Sequence, residues 1–257
     1  MTGALYLVPT PLDHGCDTLA PLDEALPLGT VRIAASLTHW ISENAKSTRA
    51  FLKRVDALVP LAQPIQAHTI TDLPREVHKK GDHGGAARLD ARPLLAAALQ
   101  GQDVGLVSEA GMPAVADPGS SVVRAAHDLG IAVVPLPGPV SILLALAASG
   151  LNGQNFAFVG YLPQDAAARA QRIRELEELA QRTGQTQIFI ETPYRNAALL
   201  QALLGTLRGT TRLALASGLT LPGQRTRCVP VQRWKQDAAT LAAWSENRLP
   251  TVFALGT

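Results

Sequence analysis

The chain has 257 residues, 47% hydrophobic and 17% charged, which excludes a disordered polymer and leaves material for one large or two small cored domains. Lys and Arg number 23 against 21 Asp and Glu, a formal charge of +2, so charge alone does not announce a nucleic-acid binder. Aromatic residues at 4% argue against a base-stacking platform, and no apolar run reaches the ~18 residues of a membrane span. Cys16 and Cys228 form neither a metal-ligand pair nor a disulfide framework, and the start Met1-Thr2-Gly3-Ala4-Leu5 lacks the marks of a secretory leader. These features predict a soluble, cytoplasmic protein.

Leu5-Tyr6-Leu7-Val8 is a short apolar run stopped by Pro9-Thr10-Pro11, which predicts a buried strand feeding a rigid loop. Val31 to Ala35 reads as a second strand, and Ser42 to Val55 as a helix with Ala45, Phe51, Leu52 and Val55 inward. Pro64, Pro74, Gly81, Gly84 and Gly85 interrupt every pattern between Pro60 and Asp90, so that stretch is predicted to be mostly loop. A helix from Leu94 to Gln100 ends at Gly101, and Val104 to Val107 is a strand. Asp117 and Pro118 read as an N-cap and first-turn proline for a helix carrying Val122, Val123, Ala126 and Leu129, stopped by Gly130. With the strand Ile131 to Val134 this makes a parallel crossover unit.

Pro135-Leu136-Pro137-Gly138-Pro139 is the stiffest run in the chain and marks the division into domains 1–136 and 137–257. Beyond it come an apolar helix from Ile142 to Ala148 and a strand from Phe156 to Val159. A long helix from Asp165 to Arg182 follows, with Ile173, Leu176 and Leu179 inward and Arg174 placed to pair with Glu178. Gln187 to Glu191 is a strand, Thr192-Pro193 caps a helix running to Leu204, and Leu213–Ala216, Cys228–Val231 and Val252–Leu255 are the remaining strands. Alternating strands and helices in two halves predict an α/β fold of two tandem domains.

No G-x-G-x-x-G, P-loop or G-x-S-x-G is present, which leaves a standard dinucleotide, ATPase or serine-hydrolase site without support. The six histidines are scattered; His78 and His83 are the nearest to a cluster, and no metal site is predicted. What remains are four Gly/Pro loops behind apolar strands: Pro9-Thr10-Pro11, Glu109 to Pro113, Asp117-Pro118-Gly119 and Pro137-Gly138-Pro139. In open α/β sheets ligands bind at the carboxyl ends of strands, and small residues there let the backbone reach the ligand. Residues alone therefore predict a ligand-binding α/β protein.

These same loops resemble the tetrapyrrole methylase superfamily of S-adenosylmethionine-dependent methyltransferases, and within it the branch that methylates a cytidine ribose 2′-oxygen of 16S ribosomal RNA. Leu5 to Pro11 resembles the opening strand and proline loop, and Gly105 to Pro113 the branch's L-V-S-D-A-G-T-P. Asp117-Pro118-Gly119, Val133 to Pro139, Leu143 to Leu151, Phe158 to Pro163 and Ile188 to Arg195 follow in the expected order. The resemblance implies two tandem α/β domains of that type with the cofactor cleft between them, and a homodimer. It assigns S-adenosyl-L-methionine to Pro9, Glu109, Ala110, Gly111, Met112, Pro113, Ser141, Ile142, Glu191, Ala214 and Thr251. Glu109 and Glu191 are the carboxylates suited to a sulfonium.

The acceptor-side motifs depart from the branch. Where it carries A-E-D-T-R-x-T this chain has Ser42-Glu43-Asn44-Ala45-Lys46-Ser47-Thr48, so an amide replaces a carboxylate and a lysine replaces an arginine. Its P-T-P-x-G-N is here Pro9 to His14, and its H-D-H-N-E segment is not recognisable around His83. Glu43 is the candidate base for an acceptor hydroxyl, and Lys46 the candidate for orienting an anionic acceptor. The implied acceptor is RNA of the small ribosomal subunit. A small-molecule or tetrapyrrole methylase, and a non-catalytic S-adenosylmethionine-binding module, are the alternatives.

Overall fold

The computed structural model describes residues 2–13, 15–74 and 89–257. His78, His83 and the glycine run behind them lie outside the described residues. The chain divides into two compact units, Met1–Val140 and Ser141–Thr257.

The N-terminal unit is a parallel sheet of β1 (Leu5–Val8), β2 (His39–Ser42), β3 (Thr69–Asp72), β4 (Val104–Val107) and β5 (Val133–Pro135), in the order β3-β2-β4-β1-β5. Strands buried on both faces read as unbroken apolar runs, which is why β1 and β4 are legible as LYLV and VGLV. Helices α1 (Leu22–Ala25), α2 (Leu28–Ser36) and α3 (Ala45–Asp56) pack around Val8, Trp40, Val107 and Leu136 on one face. Helices α4 (Ala96–Leu99) and α5 (Ser120–Asp128) cover Leu5, Ile41, Val104 and Leu106 on the other. The β4–α5–β5 crossover passes over β1, which pairs with both of its strands.

Several local expectations are corrected. Val31 to Ala35 is helical, inside α2: Pro27 sets the entry, and Thr30, Val31, Ala34 and Ala35 are buried at the spacing of a helix face. The strand of this region is β2, three residues past α2, so Ser42 ends a strand and α3 begins only at Ala45. The predicted loop from Pro60 contains β3, an edge strand whose Thr69, Thr71 and Asp72 are exposed and whose apolar pattern is therefore weak. Asp117 is not a cap: α5 starts after Gly119, whose φ of 132° only glycine adopts readily.

Gly105 in β4 shows how tightly the sheet is closed. A Cβ there would lie 2.6 Å from the Trp40 ring. That ring cannot retreat, being 1% exposed and donating its Nε1–H to His68 Nδ1 at 3.2 Å, while His68 Nε2 meets the Gln63 carbonyl at 3.1 Å.

The C-terminal unit is built from α6 (Ser141–Ser149), β6 (Phe156–Tyr161), α7 (Ala166–Thr183), β7 (Thr186–Glu191), α8 (Asn196–Thr206), β8 (Arg212–Ser217), β9 (Arg225–Pro230), α9 (Val231–Gln236), α10 (Ala238–Ser245) and β10 (Thr251–Gly256). Its sheet is mixed, in the order β6-β7-β10-β8-β9, with β6 and β7 parallel and the remaining pairs antiparallel. Phe189, Leu213, Leu215 and Phe253 face α7 to α9, and Phe189 stacks on Phe253 with ring centroids 6.0 Å apart. Strand alternation turns Ala214, Ala216 and Ala254 to the other face, against which α6 packs. Asp165 caps α7 by accepting the Ala168 N–H, and the ion pair on this helix is Arg172–Glu175 rather than Arg174–Glu178. Thr192 precedes a short 3₁₀ turn, Pro193–Arg195, with no side-chain cap bond. Among the described residues, no helix is long and apolar enough to cross a membrane.

The Gly105→Ala variant is expected to lose about 1–3 kcal/mol, the usual cost of overpacking a closed core. Urea denaturation measures it; an unchanged midpoint would mean that Trp40 is free to shift.

Candidate active site

All five strands of the N-terminal unit point the same way, so the residues following β1, β2 and β4 emerge at one edge of the sheet. There Thr10 and Gly111 form a reciprocal bridge: Thr10 N–H donates to the Gly111 carbonyl and Gly111 N–H to the Thr10 carbonyl, both at 3.0 Å. The Thr10 hydroxyl adds a bond to the Ser108 carbonyl at 3.3 Å. Gly111 sits at φ 76°, and a Cβ on it would lie 3.4 Å from the Pro139 carbonyl oxygen. The N–H and carbonyl of Gly111 are thus engaged with Thr10.

A second close approach fixes the next loop. A Cβ on Gly138 would lie 2.2 Å from Pro9 Cγ, and the Pro137 carbonyl accepts the Thr30 hydroxyl at 2.7 Å. The misread helix α2 therefore positions the proline-rich run against the β1 loop.

Glu43 follows β2 directly. Its N–H donates to the Val107 carbonyl at 3.2 Å, and its carboxylate accepts the Glu109 N–H at 3.2 Å. Asn44 caps α3 by accepting the Lys46 N–H at 2.9 Å through its side chain. Amide and carboxylate both serve as N-caps, so the replacement at position 44 keeps the helix start while removing a negative charge. Lys46 is exposed in the first turn that follows.

A cavity of about 450 Å³ opens at this edge, lined among others by Thr10, Asp13, Asn44, Lys46, Ser108 and Glu109. Its rim is held by Arg54 of α3, which donates to Asp13 (3.0 Å) and to the Ala20 carbonyl (2.6 Å), while Asp13 also accepts the Ala20 N–H at 3.1 Å. Sequence reading missed this latch because its members lie 41 residues apart with no motif between them. Cys16 also lines the cavity. Burial, then Asp13 and Asp17, push its thiol up, so it forms wall rather than nucleophile.

Behind this edge stands Asp117. Burial pushes its carboxyl up to about 7, Glu43 and Glu109 add to the rise, and the Ser108 hydroxyl opposes it. Three carboxyl groups are thus gathered where β2 and β4 end, and one is half-protonated near neutral pH. Only Glu109 among them was singled out from its motif together with a role at the sulfonium; the proximity of Asp117 depends on the folded loop.

In the C-terminal unit, Ser141 and Ile142 begin α6, with Ile142 buried. Thr251 pairs with Glu191 on one side and Ser217 on the other, and its hydroxyl donates to Ser217 Oγ at 2.9 Å. The Glu191 carboxylate accepts Arg195 Nη2–H at 2.7 Å and the Thr192 N–H at 2.7 Å. Arg195 thus pairs with it within its own turn. Ala214 lies in mid-strand between Ala254 and Cys228, 3% exposed, three pairs away from the Thr251–Ser217 pair. Among the described residues no group of three or more His, Cys, Asp and Glu could hold a metal ion.

Residues 26–233 match the family model of the tetrapyrrole (corrin/porphyrin) methylases. The chain belongs to that family. It is a methyltransferase, and the cavity with its acid-lined edge stands in the fold of that class. The ribosomal RNA small subunit methyltransferase I of Vibrio cholerae is 37% identical over 95% of this chain and 73% of its own length. The enzymes of the same name from Mesorhizobium japonicum (37% identity, 84% and 64%) and Pseudomonas aeruginosa (30%, 89% and 71%) align similarly. The chain thus spans roughly two thirds to three quarters of these relatives. The uroporphyrin-III C-methyltransferase of Thermus thermophilus shares the fold, with a TM-score of 0.53 at 19% identity over 99% of this chain and 94% of that one. Its complex with S-adenyl homocysteine gives 0.51 at 20% identity, over 99% and 97%.

The rise in Asp117 carries a sign for stability. Below pH ~4 the carboxyl is protonated both folded and unfolded, and nothing changes. Between ~4 and ~7 only the unfolded chain ionises, so stability falls as pH rises, and above ~7 the penalty stays constant. Asp117→Asn removes that slope, and its gain over the parent should grow between pH 5 and pH 8 by roughly 1–3 kcal/mol. Urea denaturation at the two pH values reads this; parallel pH profiles for parent and variant would contradict it.

Proposed function

We propose that this methyltransferase modifies a ribose 2′-hydroxyl in the RNA of the small ribosomal subunit. Its methyl donor is S-adenosyl-L-methionine, which supplies an electrophilic methyl group on a cationic sulfur. The observation that carries the reading is the cavity in which Lys46 and Asn44 of the acceptor-side segment face Ser108 and Glu109 of the β4 loop. Lys46 of the acceptor set and Glu109 of the donor set, assigned from separate motifs, line one space. The relatives named above, each a small-subunit RNA methyltransferase, support the acceptor class.

The residues present suit a cationic donor. Glu43 and Glu109 bring negative charge to the edge, and they add to the rise that burial imposes on Asp117. In this reading the donor set is Pro9, Glu109, Ala110, Gly111, Met112 and Pro113 of the N-terminal unit, with Ser141, Ile142 and Thr251 of the C-terminal unit. Glu191 and Ala214 complete the set. Glu43 is the base in this reading, and its carboxylate takes the proton from the acceptor hydroxyl as the carbon–oxygen bond forms. Lys46, exposed at the start of α3, holds a phosphate of the acceptor strand. Methyl transfer is an in-line displacement, so holding the two reactants in a dry cavity accounts for much of the rate.

A ribosomal acceptor makes the cytoplasm the working compartment. We extend the reading to a homodimer: Leu143 (49% exposed) and Leu144 (38%) leave α6 an apolar outer surface of the kind self-association covers. Sedimentation equilibrium measures this, and a monomer at every concentration overturns it.

Small subunits from a strain lacking the activity should accept labelled methyl from S-adenosylmethionine in the presence of this protein. Glu43→Gln is expected to lower kcat about 100-fold, and Lys46→Ala to raise KM for RNA about tenfold, with cofactor affinity little changed in the lysine variant. Labelling of tetrapyrrole or protein fractions instead would redirect the acceptor, and cofactor binding without transfer to any fraction would make the chain a binding module.

A further inference from the structure

The small net charge conceals a division between the two units. The C-terminal unit has twelve Lys and Arg against seven Asp and Glu, a formal charge of +5; the N-terminal unit has eleven against fourteen, a charge of −3. The catalytic reading above uses a cation of the negative unit and leaves the excess on the positive one without a role.

Part of that excess collects at one end of the C-terminal sheet. Arg212 opens β8 and pairs with Pro230, the last residue of β9, the edge strand. The chain then turns into α9, whose Val231 and Trp234 are buried while Arg233 and Lys235 are exposed. The loop before β8 is fastened to the start of α9: Val231 N–H donates to the Thr211 carbonyl and Gln232 N–H to the Gly209 carbonyl, both at 2.9 Å. Glu177 of α7, 3% exposed, fixes the loop from beneath by accepting the Arg208 N–H at 2.8 Å and the Thr211 hydroxyl. The loop of Arg208, Arg212 at the start of β8, and the helix that carries Arg233 and Lys235 on either side of buried Trp234 are therefore braced together as one ledge.

Their charges differ in how far they are answered. Arg208 lies 3.9 Å from Glu177, and on the neighbouring strand face Arg227 pairs with Asp237 at 3.1 Å while Arg225 stacks over Trp244 at 4.3 Å. Among the described residues no carboxylate pairs with Arg212, Arg233 or Lys235. Surface cations without an ion-paired carboxylate, carried on a strand and a helix braced by one loop, suit a run of phosphates better than a protein surface, which would present carboxylates singly.

We propose that this ledge, Arg212 with Arg233 and Lys235, binds the phosphate backbone of the RNA acceptor and anchors it apart from the reacting nucleotide. The inference rests on the RNA reading given above. Phosphate contacts fix position and carry no sequence information, so the ledge sets affinity while the cavity residues set which nucleotide reacts.

The test compares Arg212→Gln/Arg233→Gln/Lys235→Gln with a control of equal charge change, Arg32→Gln/Arg172→Gln/Arg174→Gln, both made in the full chain. Filter binding to small-subunit RNA is measured over a range of salt, and methyl transfer to small subunits is followed in parallel. The ledge variant is expected to bind RNA about tenfold more weakly at low salt and to flatten the slope of log K against log salt by about 2. Its KM for subunits should rise with kcat and S-adenosylhomocysteine affinity unchanged, and the control should behave as the parent. Equal losses in both variants would reduce the effect to bulk charge and overturn the proposal, as would an unchanged slope in the ledge variant. A parent that transfers no methyl to small subunits refutes the acceptor assignment instead, and the binding arm still reports on the ledge.

Discussion

Two backbone hydrogen bonds between Thr10 and Gly111 are the constraint on which the N-terminal unit's chemistry depends. They join the loop after β1 to the loop after β4 and so turn two strand ends into one wall. The joint demands a backbone at positive φ with no side chain toward the Pro139 carbonyl, which glycine meets without strain. Gly138 repeats the logic one loop further on, giving up a side chain so that Pro9 can seat against its backbone. Glycines of this kind mark where chain passes against chain, and the open cavity lies beside them.

Against that wall the fold gathers carboxyl groups from three places in the sequence. Burial first, and repulsion from Glu43 and Glu109 with it, leave Asp117 holding its proton near neutrality. Such an arrangement costs stability in the free protein. It is repaid only when something cationic arrives, which fits a sulfonium donor better than a phosphate-bearing one. Lys46 lines the same space as Glu109, so the cavity offers charge of both signs. An ionised donor and an anionic acceptor strand would each find the charge that suits it.

The two units divide charge as well as chain. A formal charge of +2 looked uninformative, yet it is the remainder of −3 and +5. Averaging over a sequence hides such an unequal division, and only the unit boundary makes the separate counts meaningful.

The sequence by itself determined much of this protein. Apolar runs made β1, β4, β7 and β10 legible, because strands largely shut in on both faces have little polar alternation to blur them. Ordered loop motifs gave the family, and single residues such as Asp165 gave a helix start, because a cap acts within one turn of chain. Tertiary structure decided the rest. Val31 to Ala35 is β-branched and small, acceptable to strand or helix, and became helical because that face packs on Trp40 and Leu136. Edge strand β3 carried too little apolar signal to be read. The Asp13–Arg54 latch, the raised Asp117 carboxyl and the pairing of Glu191 with Arg195 depend on distances of a few ångströms between side chains or loops. Electrostatic and hydrogen-bonded pairing acts through space rather than along the chain, so spacing in the sequence could name the candidates and only the fold could say which of them meet.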